Sequence, residues 1–298
     1  MQKYENNGQL RNVTAIILKG ILKKCYLCAY FIPLKMKFTF YKYQGTGNDF
    51  VIIDDREKTF PIDKKLIYNI CHRRFGIGAD GFMLLQNDEN SDFLMNYFNS
   101  DGNESTMCGN GGRCLVQFAH DINAIGTSTT FNAVDGLHEA QISPEVVSLK
   151  MIDVTDVETA ENHSFLNTGS PHHIEFVEEI NAVDVFNQGR KIRYGSPYFE
   201  EGANVNFVQK IDEETLWVRT YERGVEDETY SCGTGVTAAA IASYQKGSMQ
   251  KLPIKIKTLG GNLAVNFEKT ANGFTNVHLI GPATFVCKGE LDTENFEF

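Results

Sequence analysis

The sequence predicts a mixed α/β fold, α+β in its detail, built from two similar domains that arose by internal duplication and face one another across a cleft. Two observations predict it. Short strand-like runs alternate with a few helical ones from Met36 onward, and a cysteine-glycine motif occurs twice. Glu104-Ser-Thr-Met-Cys108-Gly-Asn-Gly111 matches Glu228-Thr-Tyr-Ser-Cys232-Gly-Thr-Gly235, which places the two cysteines 124 residues apart. Thr46-Gly47-Asn48 matches Thr168-Gly169-Ser170 at an offset of 122, so two separate landmarks keep nearly one register.

In chain order, residues 37–43, 51–54, 82–85, 93–98 and 147–151 read as strands of the first half. Residues 174–177, 205–208 and 216–221 read as strands of the second, followed by 254–257, 263–267 and 277–279, where apolar and polar residues alternate. Two helices begin at glycine-rich turns, 111–119 and 235–244, and each directly follows a cysteine. Phe75-Gly-Ile-Gly-Ala-Asp-Gly81 has some of the glycine spacing of a dinucleotide loop but lacks its last glycine and its strand–helix frame. It reads as a tight loop.

With 298 residues, 42% hydrophobic and 22% charged, the chain can bury a sizeable core. A formal charge of −10 argues against a nucleic-acid partner, which needs clustered cations to displace counterions from phosphates. A small polar substrate fits better. Residues 1–35 hold six cations against Glu5 alone, a balance of +5, so the remainder carries −15. Their apolar stretches are broken by Lys19, Lys23 and Lys24, too short to span a bilayer, and no small-x-small cleavage site follows them. Residues 1–35 read as a disordered extension or an over-extended start, with Met36 as the expected true beginning.

Seven cysteines (25, 28, 71, 108, 114, 232 and 287) are too few and too scattered for a disulfide framework and fit a reducing compartment. Cys25-Tyr-Leu-Cys28 is a lone pair in the doubtful segment, and Cys108 with Cys114 lacks two further metal ligands at suitable spacing, so no metal is expected. For any single cysteine the bland reading is an inert buried thiol. Two cysteines in matched turns at two helix starts point elsewhere. The positive end of a helix favours thiolate, and a thiolate can act as a base while a protonated cysteine on the opposite face donates, inverting a carbon held between them. Cys-Gly-x-Gly also lets backbone N–H groups converge on an anion, so two such starts can clamp one carboxylate as negative charge moves into it.

At this point the chain resembles the diaminopimelate epimerase family over residues 36–298. The resemblance rests on Gln44-Gly-Thr-Gly-Asn-Asp-Phe50, Phe75-Gly-Ile-Gly-Ala-Asp80, Phe98-Asn-Ser-Asp-Gly102, Met107-Cys-Gly-Asn-Gly-Gly-Arg-Cys114, Gly169-Ser-Pro-His172, Asn204-Val-Asn-Phe207, Tyr221-Glu-Arg-Gly224 and Ser231-Cys-Gly-Thr-Gly235. It implies that Cys108 and Cys232 are the acid/base pair, supported by His172 and Glu222. It implies that Gly109, Asn110, Gly233 and Thr234 offer donors to the carboxylate at the inverting centre, and that Asn48, Asn99, Ser170, Asn204, Glu222 and Arg223 hold the substrate. Arg223 suits a carboxylate, which a guanidinium binds with two parallel bonds. The implied reaction interconverts LL- and meso-2,6-diaminopimelate without a cofactor, in a cytoplasmic homodimer serving lysine and cell-wall precursor synthesis.

The implied fold is two pseudo-symmetric domains, each a mixed sheet around a central helix, the first comprising 36–152 plus 282–298 and the second 153–281. Three departures stand out. Gly81 replaces a common glutamine, so position 81 offers a substrate no side chain; Ser170 replaces a common asparagine; and Glu222-Arg-Gly-Val-Glu-Asp-Glu-Thr229 is one residue longer and more acidic than usual. Proline racemase-like enzymes are the nearest rival, but they carry histidine where Asn110 stands and Ser-Pro where Tyr230-Ser231 stand. Phenazine-biosynthesis relatives of the same fold are a second rival, and the presence of both cysteines speaks against them.

Overall fold

The computed structural model describes residues 36–296. The basic segment 1–35, with its Cys25/Cys28 pair, lies outside the described residues.

The first half runs β1 (Lys37–Gly45), β2 (Asn48–Asp54), α1 (Lys64–Cys71), β3 (Gly81–Gln86), β4 (Phe93–Asn99), α2 (Gly109–Asp121), β5 (Ser128–Ala133), β6 (Gly136–Ser143) and β7 (Val146–Lys150). The second runs β8 (Val157–Thr159), β9 (His163–Asn167), β10 (Pro171–Phe176), α3 (Val185–Tyr194), β11 (Asn204–Lys210), β12 (Thr215–Glu222), β13 (Asp227–Thr229), α4 (Gly233–Gln245), β14 (Ile254–Thr258), β15 (Gly261–Thr270) and β16 (Gly273–Gly281), and β17 (Thr284–Asp292) follows.

The pairing repeats element for element. In the first half β1 is antiparallel to β2, β2 parallel to β3, β3 antiparallel to β4 and β4 parallel to β5, and β5, β6 and β7 form an antiparallel meander. The same sequence of directions links β9, β10, β11, β12, β14, β15 and β16. The duplication read from two motifs therefore extends through the strand order of both halves. Antiparallel pairing of β7 with β16 fuses them, while β8 pairs with β9 and β17 returns to pair with β1.

Each half wraps its sheet around one helix. In α2 every residue from Gly109 to Val116 is buried, and in α4 the small residues Ala238, Ala239, Ala240 and Ala242 let strands approach on all sides. Their side chains lie in one core shared with Phe50, Met83, Phe118, Phe131, Leu149, Val265 and Leu279. Each such large side chain contributes about 1.5–3 kcal/mol by leaving water.

The expected strands and both expected helices are present, with helix boundaries extending one or two residues outward. Two further helices, α1 and α3, escaped the periodicity reading because they are short. Both carried a legible signal, an aspartate cap: Asp63 accepts from Leu66 N and Asp184 from Asn187 N. Strands β5, β6, β8, β9, β13 and β17 also escaped it; in β6 and β17 most residues are exposed and the apolar alternation is weak.

Candidate active site

The turn between β1 and β2 consists of Thr46 and Gly47, both with positive φ (50° and 87°), the conformation that reverses a two-residue hairpin in register with strand twist. It delivers Asn48 to the start of β2, where its amide Nδ2 stands 3.8 Å from Cys108 Sγ and its Oδ1 is buried without a partner. Beside it, Asp49 is held by Lys42 at 2.8 Å and by Arg73 at 2.8 Å, and Arg73 also reaches Asp80 at 2.6 Å. These ion pairs pin residues 73–80, most of which belong to the tight loop expected over 75–81, against the segment carrying Asn48. The two halves use their turn threonines alike: Thr46 Oγ1 donates to Asn110 Oδ1 at 3.5 Å, and Thr168 Oγ1 donates to the Thr234 carbonyl at 2.8 Å. Each therefore ties its turn to the residue two beyond the cysteine.

Cys108 and Cys232 are the cap residues of α2 and α4, both in extended backbone conformation. The two helix starts meet. A Cβ built on Gly233 would lie 3.4 Å from Gly109 Cα, and both glycines rest on Leu279, whose Cδ2 would be 2.9 Å from a Cβ at 233 and 3.0 Å from one at 109. A side chain at either position would press on Leu279 and crowd this approach. Asn110 crosses the junction, donating from Nδ2 to the Ser231 carbonyl at 3.0 Å. Thr234 Oγ1 lies 3.4 Å from Cys232 Sγ.

The electrostatics correct one expectation. Burial is the largest influence on both thiols and raises them above the ordinary cysteine range. The amides of Gly111 and Asn110 pull Cys108 down, and Thr234 with the Gly235 amide pulls Cys232 down, but neither set offsets desolvation. Glu222 pushes both thiols further up, which puts its carboxylate within electrostatic reach of each. Glu222 itself is raised by burial, against the hydrogen bond it accepts from Thr229 Oγ1 at 3.0 Å. The resting site therefore favours two thiols and a reluctant carboxylate, not a thiolate poised by the helix dipole.

On the second wall His172 is fully buried, and burial, with Arg223 nearby, lowers it to about 3, so it is neutral. Asn206 Nδ2 donates to His172 Nδ1 at 3.1 Å, which leaves the proton on Nε2, 3.2 Å from Ser170 Oγ. Ser170 Oγ also accepts from Asn204 Nδ2 at 2.9 Å, which leaves its own O–H as a donor. Asn204 is engaged at both ends, since its Oδ1 accepts from the Arg223 backbone N–H at 2.9 Å. Arg223 is exposed, with Nη1 donating to the Glu201 carbonyl at 2.9 Å. Asn99 ends β4 with an exposed side chain, opposite Gly81 in register.

The longer acidic loop after Glu222 closes on itself. Glu226 accepts from Gly224 N at 3.0 Å and from Tyr221 Oη at 3.2 Å, and pairs with Arg193 at 3.3 Å. Its carboxylate therefore staples the turn instead of facing a ligand.

Two residues with clear positioning work were absent from the expected set. Arg113 is fully buried, with no carboxylate partner among the described residues, and donates to the Gly109 carbonyl at 3.1 Å and Asn110 Oδ1 at 3.0 Å. It fixes which way the Asn110 amide faces. Asn206 holds His172 while accepting from Thr220 Oγ1 at 2.9 Å. Both sit inside quoted motifs, so the signal was the motif itself; their partners come largely from other elements and are not visible in it.

The model of the diaminopimelate epimerase family matches residues 40–152 and 164–286. A diaminopimelate epimerase of Flavobacterium psychrophilum is 54% identical over 248 residues, covering 83% of this chain and 97% of that one. One of Chlorobaculum tepidum is 41% identical over 256 residues, with 83% and 98% covered. Among solved structures, a phenazine biosynthesis protein of the PhzF family from Bacillus anthracis superposes with a TM-score of 0.67 at 14% identity, covering 86% of this chain and 99% of that one. A hydroxyproline epimerase from Agrobacterium vitis, solved with trans-4-hydroxy-L-proline, gives 0.62 at 14% identity, with 88% and 94% covered. At such identity the structures show a common fold alone. The family match over most of the chain and the relatives above 40% identity go further, and this chain belongs to the diaminopimelate epimerase family.

Proposed function

We propose that the chain interconverts LL- and meso-2,6-diaminopimelate by passing one α-proton between Cys108 and Cys232 without a cofactor. The observation that carries this reading is the meeting of two helix starts, Gly109 against Gly233, each directly behind a cysteine. A carbon held over that junction has a sulfur on each face. One cysteine, deprotonated, takes the α-proton while the other donates its S–H proton to the opposite face, and the enzyme emerges with the two protonation states exchanged. Because burial makes both resting thiols weak acids, deprotonation requires a local acceptor, a role we assign to Glu222, whose charge acts on both.

The first-turn backbone N–H groups at 109–111 and 233–235, three of which also bear on the two sulfurs, are donors for the substrate carboxylate that gains charge as the proton leaves. Asn48 Oδ1, a buried acceptor without a partner, suits an ammonium group. Asn99, Ser170 and Arg223 present further donors; Asn204 holds Ser170 and the Arg223 backbone, while Arg113 holds Asn110 and Asn206 holds His172. A division into 36–152 with 282–298 and 153–281 is supported by the return of β17 to β1. Among the described residues no helix is long and apolar enough to cross a membrane. A cytoplasmic homodimer supplying lysine and peptidoglycan precursors is the setting we infer from the family.

The test is direct. Purified protein incubated with LL-diaminopimelate in deuterated water washes deuterium into one α-position and produces the meso form, and Cys108→Ala or Cys232→Ala abolishes turnover with the fold intact by circular dichroism. Either single variant retaining near-normal turnover sinks the two-cysteine mechanism.

A further inference from the structure

The charged residues beside Asn48 form one network with Asp80 at its centre. The Asp80 N–H donates to the Asp49 carbonyl at 2.9 Å, its carboxylate accepts from the Asp49 N–H at 3.3 Å, and its carbonyl accepts from the Ser100 N–H at 3.1 Å. Arg73 Nη2 bridges the two carboxylates, 2.8 Å from Asp49 Oδ1 and 2.6 Å from Asp80 Oδ1, while Lys42 binds the other oxygen of Asp49 at 2.8 Å.

Strand register explains the convergence. Phe50 of β2 pairs with Gly81 of β3, and Gly81 pairs with Asn99 of β4, so Asp49, Asp80 and Ser100 lie level at one end of these adjacent strands. Asp80 is therefore anchored on the β4 side by Ser100 and holds Asp49 on the β2 side. Asn48 is the next residue in the chain, and its Nδ2 lies 3.8 Å from Cys108 Sγ. The network thus ends one residue from a group that touches a sulfur. The side chains of Arg73 and Asp80 are 57% and 46% exposed, and ion pairs this open to water contribute little to stability. A guanidinium shared between carboxylates on two strands is better suited to fixing their relative height.

Resting on the epimerase reading, we propose that Asp80 and Arg73 are positioning residues for Asn48, which hold its side chain at the height that proton transfer at Cys108 requires and act on the reaction only through it.

The experiment uses the full chain with LL-diaminopimelate. Arg73→Gln and Asp80→Asn are each expected to lower kcat/KM about tenfold, because a small displacement of a positioned group is costly, with the thermal midpoint moved by less than about 2 °C. In an Asn48→Ala background the same substitutions are expected to change kcat/KM by less than about twofold, since the group they act through is gone. A second readout needs no turnover: alkylation of Cys108 by iodoacetamide, followed by peptide mass spectrometry, is expected to change several-fold in both variants, with Cys232 unaffected. Parental kcat/KM in both variants overturns the proposal, as does an equal loss with and without Asn48, which a general scaffolding role would give. Should the parent chain fail to epimerise diaminopimelate, the epimerase reading falls, and alkylation still decides the positioning role: an unchanged Cys108 rate overturns it.

Discussion

Gly233→Ala is the sharpest probe of the junction between the two helix starts. The added methyl would lie 2.9 Å from Leu279 Cδ2 and 3.4 Å from Gly109 Cα. Leu279 is fully buried, so its methyl has no open space to swing into, and relief comes from moving α4 away from α2 by a few tenths of an ångström or more. Overpacking of this kind costs about 1–3 kcal/mol, offset by up to about 1 kcal/mol because alanine suits a helix better than glycine. Stability should therefore fall by only about 1–2 kcal/mol. Activity should suffer more, because proton transfer needs both sulfurs against one carbon, and misplacement approaching an ångström costs up to about 100-fold. The expected result is a roughly 10- to 100-fold lower kcat with a cooperative urea melt. Leu279→Val in the same chain removes the clashing methyl and should recover part of the rate, while Gly126→Ala, where nothing lies within 4 Å of the new methyl, should change neither quantity. A folded Gly233→Ala variant with parental kcat would refute the abutting geometry as a requirement for catalysis.

Glu222→Gln removes a charge that pushes both thiols up, so thiolate ultraviolet absorbance should appear at lower pH than in the parent even as turnover falls; an unchanged or higher onset would show that Glu222 does not act on them. His172, held near 3 by burial, has a folded-state value below its unfolded value, so its contribution to stability is present above about pH 6.5 and is lost as pH falls toward 3. Denaturant midpoints measured against pH should fall through that window, and His172→Asn should flatten the slope; an equal slope in the variant would place the acid sensitivity elsewhere. Mild oxidation without substrate should join Cys108 to Cys232 and stop turnover until dithiothreitol is added, with substrate protecting the pair. Disulfide mapping that finds Cys108 joined to Cys114 would contradict the facing arrangement.

The repeat, the two helix starts and the identity of the two cysteines were all legible in the chain, because each depends on residues adjacent in sequence: a cysteine, the glycines after it and the small or apolar residues of the helix they open. Neighbour-to-neighbour chemistry writes itself into local pattern. Tertiary structure decided what depends on residues far apart. A helix start by itself favours thiolate, but enclosure by the opposite half raises both cysteines instead, since desolvation is set by everything that surrounds a sulfur. Arg113 reaches Pro282 and Asn206 reaches His172 and Thr220 on other elements, and the cost of burying such polar groups is met only when those partners arrive. Gly81 alone reads as a missing side chain; strand register, which sets Tyr97 diagonally across from it, and the adjoining Phe98 carbonyl and Phe50 ring leave no room there for one.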